Sequence, residues 1–211
     1  MSVINVAILL LAMVALSHEH GMLMDPVNRS SMWRKGFKTP PNYTDMGLFC
    51  GEVMQDWENN NWKCGLCGDP YTDKVPRANE NTGYYGRGII VATYKAGSTI
   101  TVTVDLTANH KGRFYFHLCP LASKDQLETE ACFEAHPVKL ANGEPYYTLT
   151  SSNTGDYNIN LSLPAGVKCQ QCVLRWTYVV ANSWGVCKDG HGATGCGPQE
   201  TFRSCSDITI N

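Results

Sequence analysis

The chain has 211 residues, and its 17 lysines and arginines nearly balance its 19 aspartates and glutamates, for a formal net charge of −2 at pH 7. So small a net charge argues against nucleic acid or an anionic membrane as a partner held by charge. The length fits a single domain that is large enough to bury a sizeable core.

The first residues predict a secretory signal. Residues 3–16 (VINVAILLLAMVAL) form an uncharged apolar run that is too short to span a bilayer comfortably and is followed by small and polar residues. We expect residues 1–19 to be removed as a signal peptide. Residues 20–211 are then expected to form one domain of a secreted, extracellular monomer that does not enter the membrane.

Loop patterns come first along the remaining chain, and strand patterns follow. Residues 20–85 are rich in Asn, Gly, Pro and Trp without a sustained period, which predicts long loops. Strands are predicted over residues 88–94, 98–106, 113–118, 157–163, 172–180 and 206–210, and a helix over residues 123–134. The sequence therefore indicates an all-β fold, an immunoglobulin-like or fibronectin-III-like antiparallel β-sandwich with long loops, short helices and several disulfides.

All ten cysteines lie after the predicted signal, and an even number in a secreted chain is typical of disulfides. The sequence does not give their pairing. Two C-x-x-C segments, at residues 64–67 and 169–172, leave a four-thiolate zinc site or a redox pair as alternatives. The ten positions are Cys50, Cys64, Cys67, Cys119, Cys132, Cys169, Cys172, Cys187, Cys196 and Cys205.

Three Asn-x-Ser/Thr triplets, at Asn28, Asn42 and Asn160, are candidates for N-glycosylation. A glycan at any of them would place that part of the chain on the surface.

Two histidines stand where a metal site can form. Cleavage after residue 19 would make His20 the first residue, so that its α-amine and its imidazole can bind one ion, and His110 follows a predicted strand. Three nitrogens with open positions left over suit copper, whereas a zinc hydrolase more often adds a third histidine or a carboxylate. Spacing alone leaves the alternative that neither histidine binds a metal.

Five segments spread over the predicted domain carry a more specific signal. They are residues 20–34 (HGMLMDPVNRSSMWR), 64–69 (CGLCGD), 107–119 (TANHKGRFYFHLC), 181–187 (ANSWGVC) and 195–210 (GCGPQETFRSCSDITI). In their order and spacing they resemble the lytic polysaccharide monooxygenases, and most closely the auxiliary-activity family 15 branch found in animals and other eukaryotes.

The resemblance implies a copper histidine brace with one copper ion per chain. Its ligands would be the α-amine and Nδ1 of His20 and Nε2 of His110. Phe202 would be the aromatic neighbour of the axial copper position without being a true ligand. Many members of the branch have tyrosine at that point, so this chain lacks a phenol that can bond weakly to copper or be oxidised.

Two further residues receive roles from the same resemblance. It implies that Ala108 shapes the space above copper and that Glu200 positions an oxygen species by hydrogen bonding. Without the resemblance, Ala108 can equally be a small core residue and Glu200 a solvated charge.

A flat crystalline substrate requires a flat, polar and sparingly aromatic protein surface around copper. Aromatic residues of the loop region are the candidates for it: Trp33, Tyr43, Trp57, Trp62 and Tyr84. Trp184 is expected in the core instead, because most tryptophans are at least half-buried.

The position of signal cleavage is ambiguous. A cut before His20 puts Glu19 and Ser17 where small residues are favoured, while a cut before His18 puts Ser17 and Ala15 there. With His18 first, the terminal amine, two backbone amides and the imidazole of His20 can chelate Cu(II) in a plane. The family motif begins at the histidine before glycine, so we expect cleavage before His20.

The activity that the resemblance implies is oxidative cleavage of glycosidic bonds in chitin, with cellulose as the alternative substrate. Oxidation is expected at C1, with C4 as the alternative, using O₂ or H₂O₂ and an external electron donor. A non-catalytic secreted polysaccharide- or copper-binding protein on the same fold is the alternative function. A glycosidase with paired carboxylates is a third.

Overall fold

The computed structural model describes residues 20–50 and 63–211, and most of the regular structure in them is β-strand. The strands are β1 (His20–Asp25), β2 (Ala92–Tyr94), β3 (Thr99–Ala108), β4 (Gly112–Leu121), β5 (Pro137–Leu140), β6 (Tyr147–Leu149), β7 (Gly155–Ser162), β8 (Cys169–Val179), β9 (Trp184–Val186), β10 (Gly192–Thr194) and β11 (Thr201–Ile210). A 3₁₀ helix spans Met32–Lys35, and the α-helix α1 spans Glu130–Ala135. Trp57 and Trp62 lie outside the described residues, as does the predicted signal peptide.

Nine of the described strands form one sheet that curls on itself. Its hydrogen-bonded order is β1-β3-β7-β5-β4-β8-β11-β2, with β6 added to β4, and β9 and β10 form a separate hairpin. Neighbours are antiparallel apart from β2, which runs parallel to β11. Since β5 pairs with both β4 and β7, it joins two halves whose apolar faces share one core. The all-β, immunoglobulin-like prediction is confirmed.

Alternation along the strands builds this core. On β3, Val102, Val104 and Leu106 are fully buried while the residues between them are not, because successive side chains of a strand point to opposite faces. On β8 the inner face presents Trp176 and Tyr178, also fully buried. The apolar period of two in the sequence thus becomes the inner face of the sheet.

The outer face of β8 is also buried, because α1 covers it. The guanidinium of Arg175 lies 4.1 Å from the centre of the Phe133 ring and donates two hydrogen bonds of 2.8 Å to the carboxylate of Glu130. The six predicted strands are confirmed with shifted ends, whereas the helix is much shorter than residues 123–134. It begins after Thr129, whose hydroxyl accepts the N–H of Cys132 at 3.1 Å and so caps the first turn.

The structure also contains a strand, β1, in a segment predicted as loop. A Cβ at Gly21 would lie 2.5 Å from Leu106 and 3.0 Å from Trp176, so only glycine lets the strand approach the core here. Because glycine has a low strand propensity, the local pattern hides this strand. In the part of the chain that the structure describes, no helix is long and apolar enough to cross a membrane.

The ten cysteines form five disulfides. Cys64 and Cys67, which share a C-x-x-C segment, each pair with a more distant residue, so the zinc alternative is wrong. The pairs are Cys50–Cys64, Cys67–Cys205, Cys119–Cys132, Cys169–Cys172 and Cys187–Cys196. Cys67–Cys205 closes a separation of 138 residues and links the loop region to β11.

The three candidate glycosylation sites differ in exposure. Asn28 is fully buried, and its Nδ2 donates to the carbonyl of Leu23 and to Oγ of Ser31, so the folded chain leaves no room for a glycan there and that prediction is wrong. Asn42 is half-buried, and Asn160 lies exposed on β7.

A buried guanidinium ties the loop region to the sheet. Arg29 donates two hydrogen bonds to Asp207 of β11, at 2.8 and 2.7 Å, one to Glu128 at 2.6 Å and one to the carbonyl of Asn79 at 2.8 Å. Burial alone lowers the pKa of Arg29, but the two carboxylates outweigh it and hold the pKa above its ordinary value. Arg29 therefore stays charged and joins segments that are distant in sequence.

Replacing Arg29 is expected to destabilise the fold strongly. Arg29→Met keeps most of the side-chain volume but leaves Glu128 and Asp207 buried without their counter-charge, which costs about 3–5 kcal/mol of unfolding free energy. The matched control is Arg87→Met, since Arg87 is exposed and its loss is expected to change stability by only about 0.5 kcal/mol. Urea denaturation at pH 7 with the disulfides intact measures both, and equal midpoints would contradict this account.

Candidate functional site

The β1–β3 ladder brings the two predicted metal-binding histidines to one end of the sheet. The backbone of His20 pairs with Ala108, the last residue of β3, and His110 follows two residues later. The N–H of Gly21 donates to the carbonyl of Met46 at 3.0 Å, so the start of β1 is also fixed from the loop side. His20 and His110, 90 positions apart in the sequence, thus become neighbours through backbone pairing.

His110 lies in a tight turn between β3 and β4 that Asn109 stabilises. The side-chain oxygen of Asn109 accepts the N–H of Lys111 at 2.8 Å, and its Nδ2 donates to the carbonyl of Asn153 at 2.6 Å and to the hydroxyl of Tyr157 at 2.8 Å. These bonds hold the turn against the loop that precedes β7 and against β7 itself.

The same turn is pressed against the end of β8. Gly112 has a φ of 98°, and a Cβ there would lie 2.1 Å from the carbonyl oxygen of Val179, so glycine is required for both reasons. The backbone N–H of His110 donates to the hydroxyl of Tyr178 at 3.1 Å, and its carbonyl accepts the N–H of Ala181 at 3.3 Å. The backbone of His110 is therefore fixed on both sides by residues of β8 and the segment after it.

Phe202 lies beside this turn, on the inner face of β11. It pairs with Tyr178 across the strands, its ring centre is 5.8 Å from that of Tyr178 at an interplanar angle of 28°, and it is 1% exposed. Glu200 is half-buried just before β11, where its carbonyl accepts the N–H of Val180 at 3.1 Å. The structure therefore gathers Phe202, Glu200, Ala108 and the backbones of both histidines at one end of the sheet.

The outer face of β11 is held in place by a shared carboxylate. Arg203 donates to Glu130 at 3.1 Å, and the same carboxylate binds Arg175 of β8. Burial and, second, the neighbouring charge of Arg175 lower the pKa of Arg203 to about 10. At neutral pH the arginine is still charged, so β11 is anchored directly behind Phe202.

One predicted surface aromatic borders this end of the sheet. Tyr43 is 75% exposed, and its turn leads to Met46, which accepts the N–H of Gly21. Trp33 is half-buried, and its ring centre lies 5.3 Å from that of Tyr43. The guanidinium carbon of Arg34 stacks over the Trp33 ring, 4.7 Å from its centre. Trp33 thus supports Tyr43 and offers little surface of its own.

Trp184 is not in the core, and that prediction is wrong. It is 70% exposed at the start of β9, and its ring covers Gly192 of the neighbouring strand, where a Cβ would lie 2.3 Å from the indole. A two-stranded hairpin has no second layer to bury the ring. Because Ala181, three residues earlier, bonds the carbonyl of His110, the exposed indole belongs to the same end of the molecule as Tyr43.

Tyr84 is 60% exposed but sits in a loop tied to the other end of β8. Asn81 of that loop accepts a hydrogen bond from the side chain of Gln171, seven residues before Tyr178 along the strand. Seven residues of a strand span about 23 Å. Tyr84 therefore does not border the turn that carries His110.

Two other groups of ligand-type side chains occur in the described chain. One contains Cys67, Glu128 and Cys205, and the other Cys187, Asp189 and His191. Both depend on cysteines that are oxidised to disulfides, so neither offers a thiolate to a metal. By contrast, β1 and β3 bring together the backbones of two histidines, a residue type whose imidazole nitrogens copper accepts.

Tyr178 is the residue of this site that sequence reasoning missed. It lies in an ordinary apolar alternation of β8, between Trp176 and Val180, and nothing in that pattern separates it from other core residues. There is only a weak indication in the sequence that Trp184 is exposed, since the residues directly beside it are a serine and a glycine.

Comparisons with known proteins identify the family of this chain. The family model described as "Lytic polysaccharide mono-oxygenase, cellulose-degrading" matches residues 20–208. The chain belongs to the lytic polysaccharide monooxygenases. No curated protein sequence matches it.

Two solved structures resemble this monooxygenase. An auxiliary-activity family 15 lytic polysaccharide monooxygenase from Thermobia domestica, in the Cu(I) state, is 47% identical over 90% of this chain and 98% of its own, with a TM-score of 0.88. LPMO10B from Micromonospora aurantiaca is 14% identical over 90% and 99% of the two chains, with a TM-score of 0.42. The family model and the similarity to the Thermobia domestica enzyme show that the chain is a copper-dependent monooxygenase of family 15 with a single copper ion. This finding disfavours the glycosidase and the non-catalytic protein as alternative functions.

Removal of His110 is expected to abolish tight copper binding. His110→Ala deletes one of the three nitrogen donors predicted from the sequence, so Cu(II) affinity should fall by more than about 100-fold, because changes outside the ligands alone cost about 10- to 100-fold. His191→Ala is the matched control, since this histidine is exposed on the β9–β10 hairpin. Copper titration followed by EPR measures both variants, and unchanged affinity in His110→Ala would exclude it as a ligand.

Proposed function

We propose that His20 and His110 bind the copper ion as a histidine brace. The ligands are the α-amine and Nδ1 of His20 and Nε2 of His110. The observation that supports this most is the pairing of His20 with Ala108, which brings the start of the domain next to the turn of His110. Copper held there supplies the one-electron chemistry that activates O₂ or H₂O₂ once an external donor has reduced it.

The brace requires that signal cleavage frees the amine of His20. A cut between Glu19 and His20 leaves the domain at residues 20–211, whereas a cut before His18 makes the same imidazole part of a planar chelate with two backbone amides.

The residues around the brace shape the remaining positions. Phe202 would present an apolar ring to the bound ion, and since it carries no hydroxyl it would neither bond to the ion nor lose a proton. Ala108 would leave room beside the ion because its side chain is a single methyl group. Glu200 offers a carboxylate that can accept a proton or a hydrogen bond from an oxygen species.

The substrate is a crystalline polysaccharide that lies across this end of the sheet, and we propose chitin, with oxidation at C1. Tyr43 and Trp184 are exposed aromatic rings near the two proposed ligands. Tyr43 lies in the segment that hydrogen-bonds to Gly21, next to His20, and Trp184 lies in the segment that hydrogen-bonds to the backbone of His110. Exposed rings on two separate segments at this end of the sheet can lie against the sugar faces of a flat chain. Cellulose is the alternative substrate.

The products will test the function. We expect the secreted protein, with a mature mass that begins at His20, to release oligosaccharides bearing a C1 aldonic acid from crystalline chitin when copper and ascorbate are supplied. Mass spectrometry distinguishes these from C4-oxidised and from hydrolytic products, and parallel reactions on cellulose define the substrate. Binding to chitin without oxidised products, from a chain beginning at His20, would contradict the proposal, and so would a dominant start at His18.

The exposed indole is tested separately. Trp184→Ala should weaken binding to crystalline chitin about tenfold, equivalent to ~1.4 kcal/mol, as expected when a contacting aromatic residue is truncated. The Cu(II) EPR spectrum should not change, because the indole N–H of Trp184 is only a hydrogen-bond donor and offers the ion no ligand atom. Tyr84→Ala is the control and should bind chitin normally. If both variants bind alike, Trp184 is no part of the substrate surface.

A further inference from the structure

We propose that Tyr178 is a positioning residue of the copper site, which fixes the positions of both His110 and Phe202. The inference rests on the proposed brace, since it assigns an effect of Tyr178 on the bound ion. Its structural basis is a single buried side chain that contacts His110 through the hydroxyl and Phe202 through the ring.

The hydroxyl of Tyr178 holds the backbone of the His110 turn. β3 ends at Ala108, so the N–H of His110 lies beyond the ladder, and it donates to Oη of Tyr178 at 3.1 Å. A backbone N–H at such a position must find a partner, and here that partner is a side chain from the opposite half of the sheet. The place of His110 relative to β1 therefore depends on where this oxygen lies.

That oxygen is well fixed because the ring that carries it cannot move freely. Tyr178 is fully buried, and its ring centre lies 5.1 Å from that of Phe114, 6.0 Å from Trp176 and 5.8 Å from Phe202. The contact with Phe114 is edge-to-face and the other two are stacked, arrangements that aromatic pairs prefer. Interiors packed in this way transmit displacements instead of absorbing them.

The same ring also determines the position of Phe202. Phe202 pairs with Tyr178 across β8 and β11, and its ring also contacts that of Phe49, with the ring centres 5.8 Å apart. A shift of Tyr178 would move the axial neighbour and one ligand-bearing turn together. The geometry of the bound ion should therefore respond to a residue that does not touch it.

The test removes only the hydroxyl. Tyr178→Phe keeps the ring and its three aromatic contacts, so the fold should persist while the His110 N–H loses its acceptor. We expect Cu(II) affinity to fall about tenfold, within the range seen when residues outside the ligands are changed. The copper hyperfine splitting in the EPR spectrum should also change, which a purely structural role would not cause.

The matched control is Tyr147→Phe. Tyr147 belongs to the same aromatic cluster, with its ring centre 5.9 Å from that of Phe114, but it lies on β6 and, within the described part of the chain, makes no hydrogen bond to the turn. This variant should keep wild-type affinity and EPR parameters. If Tyr178→Phe also keeps them, the proposal is overturned.

If Tyr178→Phe does not fold, amide exchange in the metal-free wild-type protein tests the proposal instead. The N–H of His110 bonds a buried hydroxyl, while that of Lys111 bonds the side chain of Asn109 in an exposed part of the turn. Amide exchange followed by NMR should be at least tenfold slower at His110 than at Lys111. Equal rates would overturn the proposal, whereas slow exchange at His110 without tight copper binding would instead refute the brace.

Discussion

The guanidinium of Arg29 lies where three distant parts of the chain meet, and the site depends on that junction. Its bonds to Asp207, Glu128 and Asn79 join the segment after β1 to β11, to the segment before α1 and to the loop before β2. A charge buried this completely is tolerated only because two carboxylates surround it. The junction fixes where β1 leaves the sheet, and with it the position of His20 beside β3.

The His110 end is organised by hydrogen bonds and aromatic packing, without buried charge in the contacts described for it. Asn109, Tyr178 and Gly112 each hold the turn by a different means: a side-chain bond to a neighbouring loop, a phenol acceptor and a close backbone approach. Ion pairs lie instead on the outer face of β11, where Glu130 binds Arg175 and Arg203.

The surface around the proposed copper site includes the β9–β10 hairpin and the turn of Tyr43, neither of which belongs to the main sheet. The β9–β10 hairpin is closed by Cys187–Cys196 and by Gln199, whose side chain bonds both the N–H and the carbonyl of Ser183. Because these bonds fix the hairpin, the exposed indole of Trp184 is carried on a well-held backbone. Tyr43 is stabilised similarly, since Asp45 beside it binds Arg34 through two hydrogen bonds of 2.6 and 2.9 Å.

The amino-acid sequence by itself determined the class of fold and the chemistry. Alternation in residues 98–106 predicted β3, and ten cysteines predicted disulfides. The segments around His20, His110 and Phe202 indicated a copper monooxygenase through their resemblance to the lytic polysaccharide monooxygenases. These features are local, because a strand period or a short motif can be recognised within a few residues.

The tertiary structure alone decided what depends on distant partners. It brought β1 into the sheet through a glycine that local propensity reads as loop, paired Cys67 with Cys205, buried Asn28 and exposed Trp184. It also placed the hydroxyl of Tyr178 against His110, 68 residues away in the sequence. Burial and pairing of this kind are set by which elements pack together, and the composition of a segment does not carry that information.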